Sequence, residues 1–287
     1  MSFLAIVLAL AAERAFPHGT ALGESRLLAT LLRALRSLGG WVDSAALPWL
    51  LTLAGAALTA LIGRQIHSAL GEVIFTGVVL FLCLGPRDLG EDVQRLITAR
   101  SRGDADEVAR LSLALQSGPA PDESHQGLIG SLFIQSHERL FGVLLWCVAL
   151  GPAGAVGYRL ASRLPALLAK QDFSDATRQA ADQLHALAAW LPARLSAGLF
   201  ALAGSMDDAL ESWRQVGELN YSGAWRHHTW AVLAEVSTAA LAAEEPDGAT
   251  TVVANLDAAL REVLRMQTRA LLLLLAGFAV YAGGTLV

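Results

Sequence analysis

Long uncharged runs alternate with short charged ones along this chain. Residues 44–63, "SAALPWLLTLAGAALTALIG", hold no charge across about 20 positions. As a helix rising roughly 1.5 Å per residue, this run covers about 30 Å, the hydrocarbon thickness of a bilayer. Residues 73–85, "VIFTGVVLFLCLG", form a shorter run that must thin the bilayer or borrow flanking residues to cross it. Residues 140–158 are apolar up to a Gly151-Pro152 break and close on Tyr158, with Arg159 directly after. Residues 187–204 are apolar except for Arg194, and residues 270–287 are uncharged directly after Arg261, Arg265 and Arg269. The pattern predicts five membrane segments. The N-terminal "MSFLAIVLALAAERAF" lacks a basic leader and a cleavage pattern, so it predicts a retained half-length helix at the membrane face.

The basic collar before residue 270 places the start of the last segment on the cytoplasmic side. The arginines between Arg14 and Arg36, and those between Arg87 and Arg139, fall on that side too, with the turn 64–72 outside. Five crossings fit this parity. They also send residues 159–178 outside, although Arg159, Arg163, Lys170 and Arg178 lie there. Two arrangements are open at this point: the charge rule is broken locally, or the segments starting at Leu140 and Leu187 form a re-entrant pair.

Amphipathic helices fill the intervals. Leu89, Val93, Leu96 and Ile97 recur at helical spacing among charged residues. Gly103 ends that helix, Asp104 caps the next, and Glu107 stands where a capping box puts its carboxylate. Ser205 and Asp208 repeat the device. Residues 216–223 read as a loop, 224–244 as a helix, "EEPDG" as a turn, and 250 onward as one long helix feeding the last segment. No sustained alternation predicts a strand. The expected fold is all-α: one polytopic integral-membrane domain over 1–287, with helical cytoplasmic regions at 87–139 and 205–269.

Composition agrees. Of 287 residues, 54% are hydrophobic and only 16% charged, at a mean hydropathy of +0.47. Soluble domains carry about a quarter charged residues. The net charge of −5 argues against a nucleic-acid partner, whose phosphates call for a basic surface. Cys83 and Cys147 both sit in apolar runs without a nearby second ligand, so they read as small buried hydrophobes.

Familiar chemical motifs are missing. No Gly-rich run precedes a Lys-Ser/Thr pair, no nucleophile elbow is present, and His137-Glu138 lacks the second His of a zinc-protease helix. His227 and His228 point about 100° apart on a helix and read as a surface or interfacial pair. Asp122, Glu123 and His125 read as a solvated loop, and Trp190, Trp213, Trp225 and Trp230 as interfacial belts. Arg194 and Arg159 are the residues that hydrophobicity would exclude. Charge at that depth costs a few kcal/mol unless it meets a polar cavity, an acid or an anion, or snorkels to the interface. The breaks at Gly151-Pro152 and Pro192 free backbone groups that are satisfied where a cavity lies. A small anionic pocket lined by Arg159, Arg194 and Tyr158, with Arg139 or Glu138 at its mouth, follows as the candidate site. No catalytic residue, metal ligand or cofactor is assigned.

At these residues the chain resembles a known family. "GPAGAVGYRLASRL" followed by "WLPARLSAGLFALAGSMDDALESW" resembles the AmpE family of inner-membrane proteins. It is more distantly similar to the CobD/CbiB cobalamin-pathway membrane enzymes, as is "TARSRGDADEVARL". The AmpE resemblance covers nearly the whole chain, the other mainly its middle. The first implies a non-enzymatic role in controlling β-lactamase induction, tied to recycled muropeptides and to a cytosolic protein partner; a second copy of the chain is a further partner this reading admits. The second implies a synthase forming an amide on a corrinoid acid, with Glu138, Asp104 and Glu211 as surviving carboxylates. This chain carries "LQSGPAPDES" and "QSHERLFG" where the enzymes carry Gly-Arg-Asp-Thr and Glu-Asn-Thr-Val-Asp-Gly. The metal-holding residues of that family are therefore missing.

Overall fold

The computed structural model describes residues 2–15, 24–37, 39, 43–84, 89–116, 124–218, 225–241, 243–244, 250–251 and 256–284. Its helices are α1 (Ser2–Ala15), α2 (Glu24–Ser37), α3 (Leu47–Arg64), α4 (Ala69–Cys83), α5 (Leu89–Arg102) and α6 (Ala105–Leu115). They continue with α7 (His125–Ser136), a π-turn (His137–Phe141), α8 (Gly142–Ala169), α9 (Asp175–Ala203), α10 (Met206–Glu218), α11 (Trp225–Ala239) and α12 (Leu256–Gly284). Two strands of two residues each, Ala243–Glu244 and Thr250–Thr251, pair antiparallel and correct the expectation of helix over 224–244 and from 250 onward, since α11 ends at Ala239 and α12 starts at Leu256. The protein is all-α and polytopic.

Among the described residues, four helical stretches are long and apolar enough to cross a membrane: Leu47–Arg64, Gln126–Ala169, Asp175–Ala203 and Leu256–Ala282. Ala69–Cys83 is apolar but shorter, as its sequence run predicts, and Phe3–Ala12 is the short N-terminal helix. Leucines such as Leu50, Leu53 and Leu61 of α3 point outward, more than half exposed. A row of that kind is costly in water and natural against lipid.

The stretch Gln126–Ala169 is not one rod. Gly151 has φ 67° and ψ −159°, a conformation essentially reserved for glycine, and Pro152 follows it. The chain turns back there. In a straight helix Gly142 and Tyr158 would stand about 24 Å apart. Here a Cβ on Gly142 would come within 2.6 Å of the Tyr158 hydroxyl. A Cβ on Gly154 would lie 2.8 Å from the Leu150 Cβ and 3.0 Å from the Trp146 carbonyl carbon. Glycine at 142 and 154 is what lets the two arms of α8 close on each other.

The chain divides into two compact units, Met1–Pro86 with Gly142–Trp190 and Arg87–Phe141 with Leu191–Val287. In the first, α3 packs on α8, with Gly55 under Leu160 and Val156 and Ala56 opposite Gly157, so the two run antiparallel. One end of this unit is an apolar cluster of Leu32, Leu47, Leu164, Leu167, Leu168, Phe173 and Ala181. Above it Asp43 ties three elements together. Its carboxylate accepts from the Ser174 hydroxyl at 2.8 Å, the Ser174 amide at 3.0 Å, the Thr177 hydroxyl at 2.6 Å and Arg36 at 2.7 Å. Burial raises the Asp43 pKa, but these donors outweigh it and hold the carboxyl at about 2 instead of 3.8. Arg36 also lies over the Phe173 ring at 5.1 Å.

This end corrects the five-crossing parity. Arg36, Asp43 and Leu47 share one end of the first unit with Leu168, Phe173 and Thr177, whereas the sequence scheme put Arg14–Arg36 and residues 159–178 on opposite faces. The missing change of direction is the turn at Gly151, which a count of apolar runs cannot see.

In the second unit α5 and α6 form a helical hairpin. Gly103, at φ 71°, closes α5, and Asp104 caps α6 by accepting from the Glu107 amide at 3.1 Å. Glu107 does not complete the capping box; its carboxylate turns to Arg110. Arg100 joins this hairpin to α12 through Asp257 at 2.7 Å. Phe133, Phe141 and Phe200 meet edge to face, and α7 packs on α11 where Gly130 faces Ala234. Helix α9 runs back to Asp175 and α12 to Leu256, both longer than their apolar cores. The regions expected at 87–139 and 205–269 both fall in this unit. Residues 245–248 of the turn "EEPDG" and most of the loop 216–223 lie outside the described residues, and α10 extends to Glu218.

Candidate functional site

The π-turn His137–Phe141 lies inside a continuous helical run from His125 toward Gly151. One extra residue per turn widens the helix locally and re-aims its side chains, and such turns concentrate at functional positions. Here the turn aims His137 inward. The ring is fully buried, its Nδ1 lies 2.9 Å from the Ser196 hydroxyl of α9, and Trp230 of α11 stands edge-on at 6.1 Å. Ser196 and Thr229 are themselves buried.

Two residues before Ser196, Arg194 places a guanidinium nitrogen 3.2 Å from Nδ1 of His228. A guanidinium only donates, so this bond requires a lone pair on that nitrogen. Two polar contacts thus tie these helices together: His137 with Ser196 beside Trp230, and, about 200° round α9 from Ser196, Arg194 with His228. Polar groups gathered on apolar helices in this way are costly unless they serve each other or a ligand.

Arg139 leaves the same turn in another direction. It donates to Asp92 of α5 at 3.2 Å and to the side-chain oxygen of Gln135. Gln135 in turn donates to the Leu115 carbonyl at 2.6 Å, satisfying one of the carbonyls left open at the end of α6. The α5–α6 hairpin is therefore fastened to the π-turn at both of its helices.

The expected ligand residues fall into two groups. Glu138, Arg139 and Arg194 belong to the second unit, with Glu138 half-buried in the π-turn beside His137. Tyr158 and Arg159 belong to the first, both buried, with the Tyr158 ring 6.4 Å from His185 and close against Gly142. Of the other carboxylates considered, Asp104 is occupied as the α6 cap, and Glu211 accepts from Gln215 on the outer face of α10. Among the described residues, no three His, Cys, Asp or Glu side chains gather as metal ligands would.

Sequence reasoning missed His137, Ser196, Asp92 and Trp230 as members of a site. Trp230 is buried against His137 and is no part of an interfacial belt. His228 is half-buried and reaches Arg194, while the side chains of His125, Trp225 and His227, and all of Asp122 and Glu123, lie outside the described residues. A signal was present: Arg194 and Ser196 are polar positions within one turn of an otherwise apolar helix, just after Pro192.

Comparison with known proteins agrees with the helical membrane architecture. The family model described as "Regulatory signalling modulator protein AmpE" matches residues 1–287. The chain is 30% identical over 142 residues to a protein named cobalamin biosynthesis protein CobD from Stutzerimonas stutzeri (strain A1501), covering 48% of this chain and 47% of the relative. It is 29% identical over 192 residues to a protein of the same name from Chromobacterium violaceum, covering 61% and 60%. The chain thus spans about half to three-fifths of the length of these relatives. No solved structure matches it.

Proposed function

Because the chain belongs to the AmpE family and is a multi-pass inner-membrane protein, we propose that it is a non-enzymatic signalling modulator that binds a small anionic metabolite linked to cell-wall muropeptide recycling. In this reading it modulates β-lactamase induction. The observation that carries it is the polar bonding between otherwise apolar helices, His137 of the π-turn with Ser196 and Arg194 with His228. Arg139 and Glu138 stand on the same turn, and Arg139 is fastened to the α5–α6 hairpin. An anion drawn to Arg194 or Arg139 would shift contacts that this hairpin depends on, and a cytosolic protein would read the change.

The test uses the full chain in detergent with a recycled muropeptide and with a nucleotide-linked cell-wall fragment as probes. One of them should raise the unfolding temperature, and Arg194→Ala should remove that shift while leaving the unliganded protein folded. Normal stabilisation of Arg194→Ala would refute the placement at the π-turn. Arg159→Ala tests the separate Tyr158–Arg159 group in the same assay.

A second reading rests on the similarity to the two cobalamin biosynthesis proteins. It makes the chain a divergent synthase forming an amide on a corrinoid acid. ATP-dependent consumption of an amino-alcohol phosphate in the presence of that acid would favour it over the sensor.

A further inference from the structure

We propose that α10 is an interfacial helix whose Met206–Leu210 edge is seated in the surface layer of the bilayer. This inference is independent of the ligand reading above. It starts from α12, whose charged positions Arg261, Glu262, Arg265 and Arg269 give way at Ala270 to an uncharged run. That change marks the level of the water–lipid boundary on the helix. Arg269 sits at this level, pairing with Glu262 at 3.1 Å and donating to the Ala203 carbonyl at 3.3 Å. The last residue of α9 is therefore at the boundary too.

The corner that follows is held at the same level. A Cβ on Gly204 would come within 2.8 Å of the Met266 sulfur, and the Ser205 amide donates to the Ala240 carbonyl at 2.9 Å. Helix α10 begins from this corner. It packs on α11, burying Ala209 and Val216. One turn apart on another edge, Met206 and Leu210 are each 42% exposed. Before the corner, Leu195 and Leu202 of α9 are exposed as well, Leu202 at 62%. The apolar edge of α10 thus continues an outward leucine stripe that belongs to a membrane helix. Its neighbours Asp207, Glu211, Arg214 and Gln215 line a groove with Leu210 at its border.

This arrangement, apolar on one edge and charged beside it, is that of a helix lying in the headgroup region. The occupant is the lipid surface itself. The charges on α10 are mostly acidic, with Asp207, Asp208, Glu211 and Glu218 against Arg214. Attraction to anionic lipid therefore does not drive the contact, and it should be the same on neutral and anionic membranes.

The experiment places a bimane label at Met206→Cys or Leu210→Cys in the full chain, in phosphatidylcholine vesicles carrying a shallow nitroxide on the acyl chain. Labels at Glu211→Cys and Gln215→Cys are the polar-face controls, and wild type, whose described cysteines are buried, gives the background. Quenching by lipid-borne nitroxide should exceed quenching by aqueous iodide several-fold at 206 and 210, and the order should reverse at 211 and 215. Adding phosphatidylglycerol should leave the ratios unchanged. Iodide access at 206 and 210 equal to that at 211 and 215 would overturn the proposal. So would shielding from both quenchers with cysteine cross-links between copies, which would make a second chain the occupant. In unmodified protein, a carbene probe dissolved in the lipid should label the peptide containing Met206 and Leu210; its escape from labelling counts against the helix lying there.

Discussion

Replacing Gly154 with alanine probes the reversal of α8 at its tightest point. The added methyl would lie 2.8 Å from the Leu150 Cβ and 3.0 Å from the Trp146 carbonyl carbon. Carbon atoms prefer separations of about 3.5–4.0 Å. One of these neighbours is backbone and the other is the first atom of a side chain, so neither can swing aside. The arms must part instead, by most of an ångström. Overpacking of this kind costs about 1–3 kcal/mol, against roughly 1 kcal/mol gained by alanine over glycine inside a helix. With neither neighbour able to yield, the cost falls in the upper half of that range, about 2–3 kcal/mol, and a net loss of about 1–2 kcal/mol is expected. Gly198→Ala is the control, because it sits in α9 with nothing within 4 Å of the added Cβ. There only the helical gain operates, about 0.5–1 kcal/mol of stabilisation. Thermal unfolding of the purified full chain, followed by tryptophan fluorescence in detergent, should shift down for the first and up for the second. At about 2–4 °C per kcal/mol the two directions are separable. A Gly154→Ala protein that melts at or above the wild-type temperature, while Gly198→Ala rises, would refute the close approach of the arms.

Two other outcomes follow from the polar ties. The Asp43 carboxyl is depressed from 3.8 to about 2 in the folded chain, so its share of stability, about 2 kcal/mol, is complete above pH 4 and is lost as pH falls toward 2. Asp43→Asn should lower the unfolding temperature at neutral pH and flatten the acid limb between pH 4 and 2; an unchanged limb would show that the carboxylate is not held as described. Asp92→Asn and Arg139→Gln, alone and together, should give a coupling of about 1–3 kcal/mol in a double-mutant cycle, and additivity within about 0.5 kcal/mol would remove the pair as a fastening.

The all-helical membrane class was legible because charge-free runs of bilayer length have few other uses. So were Asp104 as a cap and the secure last segment, since both depend on residues adjacent in sequence. The turn at Gly151 was visible as a break but not as a reversal. Direction is decided by what packs across the break, and here Gly142, Gly154 and Tyr158 decide it. The same limit applies to the site. Arg194 was conspicuous as a charge in an apolar run, whereas its contact with His228, 34 positions away in sequence, is set by the crossing of two helices. His137 was dismissed for lacking a second histidine at helical spacing. Its contacts come instead from Ser196 and Trp230, brought in by α9 and α11. The sites at Arg159 and Arg194 looked like one because both are arginines beside helix breaks, yet they belong to different compact units.

The glycine at 151 also has a bearing on biogenesis. A nascent chain delivers residues 126–169 to the insertion machinery as one nearly unbroken greasy stretch. Its entry as a paired loop, with both stems lodged together, depends on a single position that only the smallest residue tolerates. Were that position stiffened, the stretch would thread through as a lone stem, and each later segment would be laid down facing the wrong compartment.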